Sequence, residues 1–295
     1  MFNRMQFDTL RAAANTTDTP SMHRINHEGF GYAGALDDEQ IARVAPSIFA
    51  EAPHDSRSDR YTYVPTVQLL AGMRGEGFLP VMVQQAKSRE DDRRGFAKHL
   101  IRFRREDQLN AAEAREVVLV NSHDGTSSFQ LMAGIFRLVC ANGLILGGKD
   151  SEIRVPHKGD ILGRVIEGAY SVVNNFDRVT AAIEDMKAID VAPEAARVFA
   201  KAALALRYDE GEEPVKAETL LRVKRVEDSA PTLWNTFNVV QEHMLKGGDR
   251  GWKKDANGRT RRASTREIKG IDQGVGLNKA LWVLAEEFGR MLKAA

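Results

Sequence analysis

The chain has 295 residues, 43% hydrophobic and 28% charged, with a formal net charge of +1, an ordinary composition for a globular protein with one large or two modest cores. The single cysteine, Cys140, excludes an intrachain disulfide and fits a reducing compartment. No stretch approaches the ~18 apolar residues of a membrane span, and the N-terminus has no long apolar leader core, so a cytoplasmic protein without membrane contact is expected.

Residues 1–60 read as a poorly defined N-terminal segment. Asn15–Pro20 is turn-rich, and Gly29-Phe-Gly31-Tyr-Ala-Gly34 matches a dinucleotide fingerprint only in spacing, since no strand precedes it and no helix follows. Leu36–Asp55 sets five acidic residues against Arg43, a net of −4. From Tyr61 the pattern tightens into an α+β unit over 61–158. Pro65 opens a helix through Met73, and Gly75 and Gly77 end it. Phe78–Lys87 has strand composition. In the next run Leu100, Arg102 and Arg104 alternate with His99, Ile101 and Phe103, which predicts a half-buried strand with its arginines on the open face. Val117–Val120 and Phe129–Val139 flank Asp124-Gly125, a hairpin turn signal, and Asn142-Gly143 signals a second turn before Leu144–Leu146. Cys140 lies in the apolar run between these turns and reads as a buried structural thiol.

At Asp160, an N-cap, the period changes from two to 3.6 residues. Ile161, Val165, Ile166, Ala169, Val172, Phe176, Val179, Ile183 and Met186 predict one long helix over 161–189 packed on the sheet. Residues 159–295 therefore read as a mostly helical region. Pro193 starts a helix through Leu206, a short one covers 219–225, and Pro231 opens Thr232–Lys246, stopped by Gly247-Gly248. Asn257-Gly258 between basic residues predicts a basic hairpin or loop over 246–270, and Leu277–Leu292 closes the chain as a helix. The fold class is α+β: an antiparallel sheet with a preceding helix, then a long helix and a mostly helical C-terminal half.

The positive charge is segregated along the chain. Lys87–Arg105 carries eight basic residues, among them Lys98, Arg102, Arg104 and Arg105, against three acidic ones. Lys246–Lys269 carries nine, among them Lys253, Lys254, Arg259, Arg261 and Arg262, against three, with Trp252 inside the run. Basic groups neutralise phosphates and release counterions, and an aromatic ring offers bases a stacking platform worth roughly 1–3 kcal/mol per base. These residues, Trp252 included, are the candidate nucleic-acid contacts.

Catalytic motifs are missing by comparison. Nothing forms a nucleophile elbow, Gly147-Gly148-Lys149 lacks the spacing of a phosphate loop, and neither cofactor nor metal is implied. His123-Asp124 reads as turn chemistry, with Asn121 and Asp124 bonding the local backbone. An enzyme would require His99, His123 and His157 to converge on a metal.

Asn121-Ser-His-Asp-Gly-Thr126, Gly134-Ile-Phe-Arg-Leu-Val-Cys-Ala-Asn-Gly143, His157 and Leu277-Asn278-Lys-Ala-Leu-Trp282 resemble the domain-of-unknown-function 932 family, over roughly Tyr61 to the C-terminus. The resemblance implies a phage- or plasmid-like protein of mobile elements and transfers no active site. The order of elements is also similar to phage single-strand annealing proteins, which form rings with DNA in a basic groove. That analogy implies a homo-oligomer. Three readings follow: a non-enzymatic protein binding single-stranded DNA in recombination, an anti-defence protein binding a host protein through Leu36–Asp55 or Tyr208–Pro214, and an enzyme with a histidine metal site.

Overall fold

The computed structural model describes residues 29–31, 34–57, 61–88, 90–137, 142–148, 152–254 and 258–294. Cys140, Tyr32, Ala33 and the Asn15–Pro20 turn lie outside the described residues. Two compact units emerge: one runs to Gly143 and includes Asp150–Asn174, and the other comprises Leu144–Lys149 and Asn175–Ala295.

The first unit is built on an antiparallel sheet in the order β1 (Gly29–Gly31), β2 (Phe78–Gln85), β3 (His99–Arg105), β4 (Glu113–Asn121), β5 (Phe129–Arg137) and β6 (Asn142–Ile145), with β7 (Glu152–Val155) also paired to β5. Pro80 has no amide proton to give a ladder, and the register of β2 against β3 shifts beside it, between Pro80 and Met82. Gly29–Gly31 is spent on pairing with Met82–Gln84, an edge-strand role. Among the described residues of the N-terminal segment, α1 (Asp38–Val44) starts with a complete capping box. Asp37 accepts from the Gln40 amide, and the Gln40 side chain accepts from the Asp37 amide. Asn142-Gly143, expected as a turn, instead begins β6.

α2 (Thr66–Gly75) buries Thr66, Leu69, Leu70 and Met73, the three- and four-residue spacing of one helical face. α3 (Ile161–Asn174) buries Ile161, Val165, Ala169 and Val172 and lies over β4, β5 and β7. Its first turn is capped by Asp160, whose carboxylate accepts from the Gly163 amide at 3.0 Å. The predicted long helix is interrupted: Asn175 separates α3 from α4 (Phe176–Lys187), and α4 belongs to the second unit. Hydrophobic period alone cannot register such a break, because the apolar residues on both sides keep the same spacing.

The largest departure concerns β3. Its alternation is real, but both of its faces are covered: every residue from His99 to Arg104 is buried and only Arg105 is exposed. Arg102 and Arg104 therefore do not face water. Arg104 Nε donates to Glu116 Oε1 of β4 at 2.8 Å, and Arg102 Nη1 donates to Oε2 at 2.5 Å. Remaining guanidinium protons reach the Gly143 carbonyl at 2.8 Å and the Leu109 carbonyl at 3.2 Å, and Arg104 lies 4.2 Å over the Phe136 ring. A buried guanidinium needs this density of partners, because desolvation otherwise costs several kcal/mol.

In the second unit, α7 (Leu233–Lys246) is the central helix, with Leu233–Met244 buried except for Thr236. It packs against α4, α5 (Pro193–Ala205), α6 (Ala217–Leu220) and the closing α8 (Ile271–Ala294). Thr232 caps α7 at its start and Gly247, at φ 60°, ends it. Its buried polar groups are matched: Gln241 bonds Asn278 of α8 at 2.7 Å, and Glu242 takes both guanidinium nitrogens of Arg225 at 2.7 Å. Among the described residues no helix is long and apolar enough to cross a membrane.

Glu116→Gln would leave two buried guanidinium groups without their counter-charge. We expect a loss of about 3–5 kcal/mol in a chemical denaturation curve, as when one partner of a buried ion pair is removed. A loss no larger than that of an exposed ion pair would contradict this account.

Candidate nucleic-acid interface

The basic run near the C-terminus forms a two-stranded ribbon. β8 (Arg250–Lys254) pairs antiparallel with β9 (Thr260–Ser264), with Arg250 opposite Ser264, Trp252 opposite Arg262 and Lys253 opposite Arg261. Its turn includes residues 255–257, outside the described set, and Gly258 at φ 75°. The base is clamped. Thr265 and Asp249 exchange backbone and hydroxyl hydrogen bonds at 2.9–3.0 Å, and the Asp249 carboxylate meets His243 Nδ1 of α7 at 2.9 Å. Arg207 holds the backbone carbonyls of Met244 and Arg266.

Directly paired residues of an antiparallel ribbon share a face. One face therefore holds Arg250, Trp252, Arg262 and Ser264, and the other holds Gly251, Lys253, Arg261 and Ala263. Trp252 is 62% exposed, with the Arg262 guanidinium 5.7 Å from its ring centroid. Arg250, Arg259, Arg261 and Arg262 are exposed. A large indole is normally among the more buried side chains, so its exposure beside a cation is the informative feature.

The sheet's basic residues are disposed differently. Arg102 and Arg104 are consumed by Glu116, which corrects their assignment to a nucleic-acid surface. Arg105 is exposed, with its guanidinium 5.5 Å from the Phe78 ring, and Lys98 is partly buried. No strongly basic sheet face results. The alternating pattern identified a strand correctly but could not reveal that its polar face met a carboxylate on the neighbouring strand.

A second polar centre lies under the loop between β4 and β5. Thr66 Oγ1, at the start of α2, is 3.0 Å from His99 Nε2, His123 Nε2 and Asn121 Nδ2 alike. Bonding roles can be assigned from the network. His99 Nδ1 faces the Ser47 hydroxyl at 2.9 Å and the Ala97 carbonyl at 3.2 Å, and only a protonated Nδ1 can bond that carbonyl. In that tautomer Nε2 accepts the Thr66 hydroxyl, and Thr66 Oγ1 accepts from Asn121 and from His123 Nε2–H. Among the described residues neither His123 Nδ1 nor Asn121 Oδ1 has a hydrogen-bond partner. Burial lowers His99 to about 4, and burial together with His99 and His157 lowers His123 to about 2, so both rings are neutral at neutral pH.

His157 does not join them on a common point. It lies between Tyr61 and Phe129, at centroid distances of 4.5 and 4.6 Å, and its Nε2 faces the Ser127 carbonyl at 3.3 Å. Among the described residues no three His, Cys, Asp or Glu side chains are placed to hold a metal ion. Ser122 Oγ accepts from the Ser127 amide at 2.9 Å and from the Thr126 hydroxyl at 3.2 Å. The network's chemistry is structural: it joins α2, β3 and the end of β4 beneath the loop. Asp124-Gly125 completes that loop. Burial would raise the Asp124 carboxyl, but bonds from Thr126 and Ser122 and the nearby Arg93 hold it below its ordinary range. Gly125 sits at φ 79°.

The family model described as Domain of unknown function (DUF932) matches residues 53–282. UPF0380 protein YafZ and UPF0380 protein YfjQ, both of Escherichia coli (strain K12), are each 45% identical to this chain over 251 residues, covering 85% of it and 90% of the relative. No solved structure matches the chain.

Two outcomes are expected at the loop. Gly125→Val should lower stability by about 1–3 kcal/mol through its positive φ. A Cβ there would also fall 1.9 Å from Arg57 Nη1, at the end of a flexible side chain. Gly125→Val combined with Arg57→Ala should therefore keep most of the cost, and recovery of full stability in the double variant would assign it to the clash instead. The second concerns pH. His99 stays neutral in the fold to about pH 4, whereas the unfolded chain takes up its proton near 6.5. Its contribution, about 3 kcal/mol, is present above pH 6.5 and is lost as pH falls towards 4. Urea midpoints across this range should decline, and His99→Gln, which cannot titrate, should flatten the decline.

Proposed function

The chain belongs to the DUF932 family, and from that premise we propose that it is a non-enzymatic protein binding single-stranded nucleic acid through the β8–β9 ribbon. The observation that carries this reading is Trp252, 62% exposed on a basic two-stranded ribbon with Arg262 directly across from it. The indole offers a stacking surface to any base, and Arg250, Arg259, Arg261 and Arg262 offer charge to phosphates, so recognition is tolerant of sequence. The role this gives the protein is the handling of single strands in recombination of mobile DNA in the cytoplasm. Lys253, ion-paired with Glu212, stands outside the basal contact set, and Lys254 belongs to it. Arg102 and Arg104 do not.

The test is fluorescence anisotropy with a labelled oligonucleotide at several salt concentrations. Each phosphate neutralised should add about 0.7 to the salt slope on a single strand. Trp252→Ala should weaken binding by roughly 1–3 kcal/mol, about 5- to 150-fold, with little change of slope. Arg261→Ala with Arg262→Ala should flatten the slope while the melting temperature stays near that of the parent. Absence of binding at low salt would overturn the reading, and capture of a protein rather than DNA would then favour the anti-defence alternative.

A further inference from the structure

The two faces of the ribbon are not equivalent. Gly251 has no side chain, and a Cβ at that position would lie 2.3 Å from the Pro214 carbonyl oxygen and 3.1 Å from Val215 Cα. The ribbon is therefore seated at Gly251 on the segment at Pro214 and Val215, both of which are buried. Immediately before that segment the chain carries Asp209, Glu210, Glu212 and Glu213, four carboxylates in five residues. The turn has a fixed shape. Glu212 N donates to the Asp209 carbonyl at 3.0 Å, and Glu213 Oε2 accepts from the Gly211 amide at 2.8 Å. From this turn Glu212 Oε2 reaches Lys253 Nζ at 2.8 Å, with both side chains open to water.

We infer that the acidic turn 209–213 is an internal competitor for nucleic acid: Glu212 occupies Lys253 as a phosphate would, and a bound strand must displace it. The inference rests on the ribbon reading above and concerns regulation of that same surface. Three features support it. The competing group is an anion of the same hydrogen-bonding class as a phosphodiester oxygen, an acceptor for an ammonium donor. Its pair with Lys253 is exposed at 40% and 61%, so it holds weakly and exchanges readily. Its backbone is fixed against the same ribbon, so its effective concentration at Lys253 is high without a second protein. In the free protein the Lys253 charge is thus masked, and it would become available when a strand is long enough or concentrated enough to displace the carboxylate.

The experiment compares the full chain with Glu212→Gln, Glu210→Gln, Lys253→Gln and the Glu212→Gln/Lys253→Gln pair, using a labelled oligothymidylate across a salt series. Thermal melts check that each variant is folded. Glu212→Gln should bind about two- to fivefold more tightly at low salt, with a salt slope steeper by about 0.7 from one added phosphate contact. Glu210→Gln removes the same charge without touching Lys253 and should give a smaller gain and no change of slope. Lys253→Gln should cost little in the parent background and should cancel the gain in the Glu212→Gln background. Equal effects of Glu212→Gln and Glu210→Gln, or a gain that survives Lys253→Gln, would overturn the inference. If Trp252→Ala weakens binding while Glu212→Gln leaves it unchanged, the competitor fails and the ribbon reading stands. If neither the parent nor Glu212→Gln binds at low salt, both fail.

Discussion

Glu116 projects from β4 between the guanidinium groups of Arg102 and Arg104 on β3, and all three side chains are nearly closed off from water. Bonds to the Gly143 and Leu109 carbonyls and the face of Phe136 add partners for the two guanidinium groups in this low-dielectric setting. The arrangement ties the middle of the sheet to the start of β6 and to the turn after β3. It also decides what these two positive charges do. Arginines held this way are closed off from water and tie the strands together.

The opposite edge of the same strand shows a comparable economy with neutral groups. A single hydroxyl, Thr66 Oγ1, accepts two hydrogen bonds and donates one, and so links α2 to His99, Asn121 and His123. A histidine in one neutral tautomer donates through one nitrogen only, so a His99 protonated at Nδ1, towards Ser47 and the Ala97 carbonyl, takes the Thr66 hydroxyl proton at Nε2. Neutral rings suit this burial better than charged ones, and their lowered proton affinity follows from the burial. The loop that carries Asp124 and Gly125 is thereby anchored at His123, whose amide bonds the Phe96 carbonyl and whose carbonyl accepts from His54.

Much of this fold was legible in the sequence because local rules and tertiary structure agreed. Asp124-Gly125, the change of period at Asp160, Pro193 at a helix start and Gly247 at a helix end each act over a few residues, and each appears where its chemistry predicts. The misses share a different cause. Alternation in β3 assigns Arg102 and Arg104 to one face but says nothing about what covers it, and the partner that buries them is distant in sequence by more than ten residues. The break at Asn175 leaves the apolar period intact. The capping box at Asp37 and Gln40 was available as a signal and was masked by the acidic composition around it. The histidine centre had no sequence spacing at all, since Thr66, His99 and His123 meet only through the sheet.

The ribbon closes the argument about where charge can act. Lys246–Lys269 has a composition similar to that of Lys87–Arg105, yet the two runs meet opposite fates for a topological reason. Both faces of β3 are covered, so Arg102 and Arg104 must find partners within the protein. β8 and β9 form a sheet of only two strands, which cannot bury both faces by itself. Gly251 allows the ribbon to settle on the 214–215 segment, with Trp252 and Arg262 kept in water. A strand covered on both faces turns basic residues into structure, and a two-stranded ribbon leaves them available to a ligand.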